Sequence, residues 1–385
     1  MKILLKNAQT YAGHVFQKKD ILISDGKIGR IEECGVLSSE GYDRVIDCEG
    51  KKAVPGFIDV HTHGAAGIDV NAATAEGLET IARFFASQGT TSCLVSILTD
   101  TPEQTLWCID EYNKWKTLEH KGAEIIGIHL EGPFLASEYK GAMPEHLLKK
   151  APDLELVKRY QDAASGAVRY MTISPELEGM PEFIRDVSGL GIKVAIGHSG
   201  ASYERAMEAI QSGAVAGTHV GNAMKLLHQH FPAIFGAVLE SDVYCEMICD
   251  GLHLHPGTVR ILLKAKGLDR AVAITDSIMA AGLPDGEYKL GVNDVVVVDG
   301  DAKLKEGGVR AGSTLPLAQA YRNLLKFTGR TEEEILPVLT KNPSEMLGVY
   351  NELGSIEEGK AADILIMDAD RQICTTIVRG RICEK

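Results

Sequence analysis

Short apolar runs, each closed by a polar side chain and then by loop residues, recur through the middle of this chain and alternate with stretches of helical period. The run Ala53-Val-Pro-Gly-Phe-Ile-Asp-Val60 ends at His61-Thr62-His63, Glu124-Ile-Ile-Gly-Ile-His-Leu130 ends at Glu131, and Lys193-Val-Ala-Ile-Gly197 ends at His198. Ala214-Val-Ala-Gly-Thr218 ends at His219, and Arg270-Ala-Val-Ala-Ile-Thr275 ends at Asp276. The runs are close to the ~5–6 residues of an ordinary strand. Between them, residues 75–88, 152–165 and 203–211 carry apolar positions at helical spacing. Strand, polar group, loop and helix in repetition predict an α/β fold, a (β/α)8 TIM-like barrel with its chemistry at the carboxyl ends of the strands. Residues 54–60 are expected to be one buried parallel strand of it.

The two ends of the chain read differently. Residues 1–53 alternate apolar and polar positions, with turn signals at Ser24-Asp-Gly26 and Glu49-Gly50, which predicts short antiparallel strands. The tail does the same through Ala362-Asp-Ile-Leu-Ile-Met367 and Thr376-Ile-Val-Arg-Gly380. The expected organisation is a small β-sandwich domain built from residues 1–53 and 350–385, flanking a barrel of residues 54–349. Residues 286–309, with Asp294-Val-Val-Val-Val298 and Asp299-Gly300, predict a hairpin inserted after the strand that ends at Asp276.

Composition narrows the class of partner. The 385 residues exceed the ~250 typical of one such barrel, which leaves room for the second domain. A net charge of -13 and the lack of a basic run argue against nucleic acid. The apolar N-terminal stretch is too short for a signal peptide, and no run reaches the ~20 apolar residues of a membrane span, so the expected setting is the cytoplasm, away from membranes. Eight cysteines contain no Cys-x-x-Cys pair. Cys245 and Cys249, the closest two, are read as small packed side chains rather than part of a disulfide framework.

Alternation along a strand points His61 and His63 to one side, toward a shared ligand such as a metal ion. An isolated His-x-His pair recurs by chance; five runs ending in ligand or proton-transfer groups on one chain do not share that explanation. Asp276 is the expected general base and then acid, against the alternative of an Asp capping a helix.

The motifs His61-Thr-His63 after Pro-Gly-Phe-Ile-Asp, His129-Leu-Glu-Gly-Pro133, Gly197-His198-Ser199, Thr218-His219, Asn222-Ala-Met224, Asp250-Gly-Leu-His253 and Thr275-Asp276, with Gly354-Ser-Ile-Glu-Glu-Gly359 and Lys360-Ala-Ala-Asp-Ile364 in the tail, resemble the N-acetylglucosamine-6-phosphate deacetylase family of the amidohydrolase superfamily. The resemblance implies a metal-dependent amide hydrolase with an amino-sugar substrate, usually a homodimer. It implies Glu131 as a carboxylate bridging two cations, His198 and His219 completing one site, and His61 and His63 forming the other, with Asp276 also among the ligands. Family members without the His-x-His pair work with one metal, so the pair implies two. Zinc suits imidazole and carboxylate first; iron, manganese and cobalt suit the same groups. Asn222 and Ala223 are implied to contact the phosphate end of the substrate, and His253 the sugar and the carbonyl. His255 lies close by, and a buried structural role for His253 is the competing reading.

Two positions depart from the family pattern. Met143 stands where a histidine usually helps hold the sugar, and His230 stands where an arginine usually reaches across the dimer to the phosphate. The pair Val220-Gly221 departs too, since the second position is usually bulky. Arginine offers a fixed charge and a fork for phosphate, whereas histidine is about half charged near pH 6.5. Three readings follow: deacetylation of N-acetylglucosamine 6-phosphate; the same hydrolysis of another N-acyl amino sugar, an N-acyl amino acid or a cyclic amide; and a catalytically silent binding protein.

Overall fold

The apolar runs that end in ligand-type side chains become strands of one parallel sheet in the structure, a computed structural model describing residues 1–38 and 40–383. The last two residues of the predicted terminal domain lie outside those described. Eight strands follow one another in the sheet: Phe57–Asp59, Thr90–Leu98, Glu124–Glu131, Val168–Ile173, Lys193–Ile196, Ala214–Gly217, Tyr244–Ile248 and Ala271–Ile274. Every neighbouring pair is parallel. The carboxyl ends of the first and last strands meet, where Asp276 N–H donates to the His61 carbonyl (2.9 Å) and His63 N–H to that of Ser277 (2.7 Å). Those bonds close the sheet into the expected barrel.

A helix follows each strand and packs its apolar face on the barrel wall. The stretches read as helical form Ala75–Ser87, Leu154–Ala163 and Tyr203–Gln211. Each begins where a polar side chain satisfies a free backbone N–H, Thr74 accepting from Gly77, Asp153 from Leu156 and Ser202 from Arg205. The barrel core is continuous from Phe57 and Val95 through Tyr170 and Met247 to Ile274.

Residues 54–60 are not one strand. Lys52–Pro55 joins the sheet of the chain termini, pairing with Ile364–Met367, and only Phe57–Asp59 enters the barrel. The break falls at Gly56, where a Cβ would lie 2.0 Å from the Thr91 Oγ1 of the next barrel strand. The chain therefore crosses from one sheet to the other at a residue with no side chain.

The terminal sheet is built from both chain ends, with eight strands curled round a core of Ile3, Leu5, Ile21, Ile23, Ala53, Ile364 and Ile377. The predicted turn at Ser24-Asp-Gly26 separates Val15–Ser24 from Lys27–Glu33. Antiparallel pairing, expected throughout, fails at the first strand: Lys2–Ala12 runs parallel to both Arg44–Asp47 and Lys52–Pro55. The insert after Asp276 is larger than a hairpin. Gly286–Leu290, Asn293–Val298 and Asp301–Leu304 form a three-stranded antiparallel sheet over its own small core, which includes Leu135 and Met143. Cys245 and Cys249 are buried free thiols.

Candidate metal centre and active site

His61 and His63 leave the first barrel strand, Glu131 is the last residue of the third, and His198, His219 and Asp276 lie just beyond the fifth, sixth and eighth. His198, His219 and Asp276 have φ of 47°, 28° and 48°, the left-handed region that residues with a Cβ seldom occupy. Such a conformation costs of the order of 1–3 kcal/mol per residue and persists only where neighbours over-determine it. They do here: Asp276 N–H is held by His61, its carbonyl accepts from Ser313 (2.7 Å), and the Ser199 N–H next to His198 donates to Ala223 (3.0 Å). No helix starts at Asp276, since the next one downstream is Leu317–Thr328, so helix capping does not explain that residue.

The ligand atoms converge. His61, His63 and Asp276 form one group and Glu131, His198 and His219 another, each group with its ligand atoms within 4.8 Å of one another. Glu131 lies between them: its Oε1 is 3.0 Å from His198 Nε2 and 3.2 Å from His219 Nε2, while its Oε2 is 3.0 Å from His63 Nε2. Asp276 Oδ1 is 3.3 Å from His63 Nε2 and 3.6 Å from His61 Nε2.

Hydrogen bonding outside the cluster shows what these atoms need. His63 Nδ1 faces the Ser96 carbonyl at 3.1 Å and His198 Nδ1 the Tyr139 carbonyl at 2.9 Å. A carbonyl only accepts, so each Nδ1 carries a hydrogen and each Nε2 is turned inward, where it offers a lone pair whenever the ring is neutral. Nonetheless His61 Nε2 and His63 Nε2 are 3.1 Å apart, as are those of His198 and His219. Ring nitrogens and carboxylates facing one another in a buried site call for positive charge between them, whether as protons on the rings or as bound cations. Burial disfavours charge on His61 and His63, but Glu131 and Asp276 outweigh it: protonation of His63 is pushed up to about 9 and that of His61 well above its ordinary value. Burial raises the carboxyls of Glu131 and Asp276, yet the same histidines hold both below the usual range. The donor set fits one or two divalent metal ions, bound as imidazole and carboxylate ligands normally are, with backbone carbonyls and a carboxylate fixing the rings from behind.

That carboxylate is Glu246, which the sequence did not single out. It is fully buried in the seventh strand; Oε2 lies 3.4 Å from His61 Nδ1 and accepts from His219 N–H at 3.1 Å, and Oε1 accepts from the Tyr170 hydroxyl. Asp59 is a second such support. Burial pushes its carboxyl up to about 7, against hydrogen bonds from Thr275 and from the backbone of His61. His129, inside the motif that ends at Glu131, is not in either ligand group; its ring nitrogens bond Ser96 Oγ and Thr172 Oγ1, both at 2.9 Å.

A cavity of about 450 Å³ opens onto the ligands. His63, Glu131, His198, His219 and Asp276 are on its floor with Asn222, Ala223, His253 and Met143 on its walls. Asp250 orients His253, its Oδ2 2.6 Å from Nδ1. His255 instead caps the helix Pro256–Lys266 by accepting from Gly257 N–H, so only one of the two faces the cavity. Met143 is 2 % exposed and packs in the core beneath the insert. His230 is exposed, tilted against His228 and edge-on to Phe231, and does not line this cavity. Lys140 and Arg310 do line it.

The amidohydrolase family's sequence profile matches residues 53–383. The chain belongs to the amidohydrolase family. This makes it a hydrolase, as the motif set implied. Its sequence is 35% identical over 367 residues to an N-acetylglucosamine-6-phosphate deacetylase of Lysinibacillus sphaericus, covering 95% of this chain and 93% of that one. It is 32% identical over 361 residues to an N-acetylgalactosamine-6-phosphate deacetylase of Escherichia coli O157:H7, covering 94% and 93%. The crystal structure of an N-acetylglucosamine-6-phosphate deacetylase from Pasteurella multocida superposes with a TM-score of 0.93 at 29% identity, over the whole of both chains.

Proposed function

We propose that this amidohydrolase removes the acetyl group from N-acetylglucosamine 6-phosphate, giving glucosamine 6-phosphate and acetate. The observation that carries the reading is the buried set of inward lone pairs and carboxylates on the floor of a cavity of about 450 Å³, within the ~300–1,000 Å³ range of small-molecule sites. The extent of the likeness to deacetylases of N-acetylhexosamine 6-phosphates supports the substrate class.

Glu131, His198 and His219 would hold one divalent cation and His61, His63 and Asp276 a second; zinc suits this donor set first. Cations at these positions polarise a carbonyl and lower the pKa of water toward ~7, which amide hydrolysis near neutral pH requires. Asp276 takes a proton from water as the amide carbonyl is attacked and returns it to the departing amine. His253, fixed by Asp250, donates from Nε2 to the substrate. Ala223, with φ of 44°, and Asn222 form the wall where the sugar phosphate lies.

Acetate release from N-acetylglucosamine 6-phosphate, N-acetylgalactosamine 6-phosphate and unphosphorylated N-acetylglucosamine, measured side by side on metal-loaded protein, tests the reading. The first should be turned over fastest. Preference for the galactose epimer would move the assignment to the second relative, and no release from any N-acyl compound would end it.

A cytoplasmic homodimer is the proposed state. Leu226, Leu227 and Phe231, at 59%, 55% and 69% exposure, crowd one loop and supply an apolar surface for a second copy. Sedimentation as a monomer at micromolar concentration would exclude it.

A further inference from the structure

His230 cannot provide a permanent charge, yet one stands on the cavity wall of this same chain. We propose that Arg310 is the residue that recognises the phosphate of the substrate, in cis, an inference that rests on the amino-sugar-phosphate reading. Arg310 follows the last strand of the insert and bridges back to Lys303. Two residues on, Gly312 packs against Asp276, where a Cβ would lie 2.8 Å from its carbonyl and 3.8 Å from its Oδ1. The segment that carries Arg310 is thereby anchored on the barrel mouth, with Arg310 lining the cavity that holds Asp276.

The charge there is not cancelled. Arg310 Nε and Nη2 clasp Asp301 at 2.7 and 2.9 Å, which leaves Nη1 without a hydrogen bond to any described residue. Lys303 Nζ is also 2.8 Å from Asp301, so two cations share one carboxylate and one positive charge remains. Asp301, with its carboxyl driven down to about 2 by Arg310, stays ionised and holds the guanidinium in place. Arg310 lines the same cavity as His253, Asn222 and Ala223. Lys140 adds a second cation on the wall; its Nζ donates to the Met143 carbonyl at 3.2 Å. A guanidinium edge fits phosphate oxygens, and fixing it beforehand reduces the ordering needed on binding.

The competing explanation is a clasp that merely holds the insert together, and the two make different predictions. On metal-loaded enzyme, the ratio of kcat/KM for N-acetylglucosamine 6-phosphate to that for N-acetylglucosamine should fall about tenfold or more in Arg310→Leu, chiefly through KM, with partial recovery in Arg310→Lys. Asp301→Asn, which breaks the clasp and keeps the charge, should hold the ratio within about threefold. An unchanged ratio in Arg310→Leu overturns the proposal, and so does an equal loss in Asp301→Asn. Calorimetric titration with glucosamine 6-phosphate reads the same contact without turnover: affinity should drop about tenfold in Arg310→Leu, and equal affinity, or no binding by the wild type, overturns it. Binding that depends on Arg310 without acetate release would sink the deacetylase reading alone. Acetate release with an indifferent Arg310→Leu would sink this inference alone.

Discussion

Asp276 is placed to meet two demands with one carboxylate: it shares a candidate metal-ligand group with His61 and His63, and it lines the cavity where the proposed reaction needs a proton moved. Replacing it by Asn keeps the size and an oxygen donor but removes the base. Asp276→Asn should retain the cation held by Glu131, His198 and His219 while kcat falls by about 10² to 10⁴, the usual worth of a positioned proton-transfer group. Metal analysis alongside steady-state kinetics checks it, and near-normal turnover would refute the assignment. The candidate ligands stand out in the sequence because each closes an apolar run with a polar side chain that packing alone does not ask for. Glu246 does not, because it sits inside Tyr244–Ile248, and nothing in a linear string tells a carboxylate pointing into a barrel from one pointing at solvent. Arg310 was hidden for a different reason: it lies in a glycine-rich turn whose path over the barrel mouth depends on the whole insert.

Among the elements, strand ends were easier to read than strand partners. The runs ending at Glu131, His198, His219 and Asp276 form barrel strands with nearly the expected bounds, since apolar length and the following loop residues both mark them. The run ending at Val60 misled because Lys52–Pro55 and Phe57–Asp59 are apolar alike but serve different sheets, and the switch depends on the tight approach of Gly56 to Thr91. Parallel pairing of Lys2–Ala12 was hidden in the same way, because the partner of a strand is not written in its own alternation. Gly56→Ala should therefore overpack the junction and lower stability by about 1–3 kcal/mol, as inserted methyl groups do in closely packed interiors. Urea unfolding checks this; an unchanged midpoint would mean that Thr91 yields without cost and that the close approach does not fix the crossing.

Over the whole molecule, the terminal sheet is tied to the barrel rather than appended to it. Gly56 N–H donates to the Asp363 carbonyl (2.9 Å), Thr376 Oγ1 to that of Ala86 (2.8 Å), and Ser92 Oγ of the second barrel strand to the buried Asp363 carboxylate (3.5 Å). The barrel in turn brings ligands more than 200 residues apart in sequence, such as His61 and Asp276, to within 3.6 Å. That convergence serves hydrolysis only if cations occupy it. Acetate released from N-acetylglucosamine 6-phosphate should therefore be followed in one preparation as isolated, after chelation, and after a divalent cation is restored. The cluster described above predicts one acetate per glucosamine 6-phosphate in the first and third states and none in the second. Turnover that ignores chelation would contradict it.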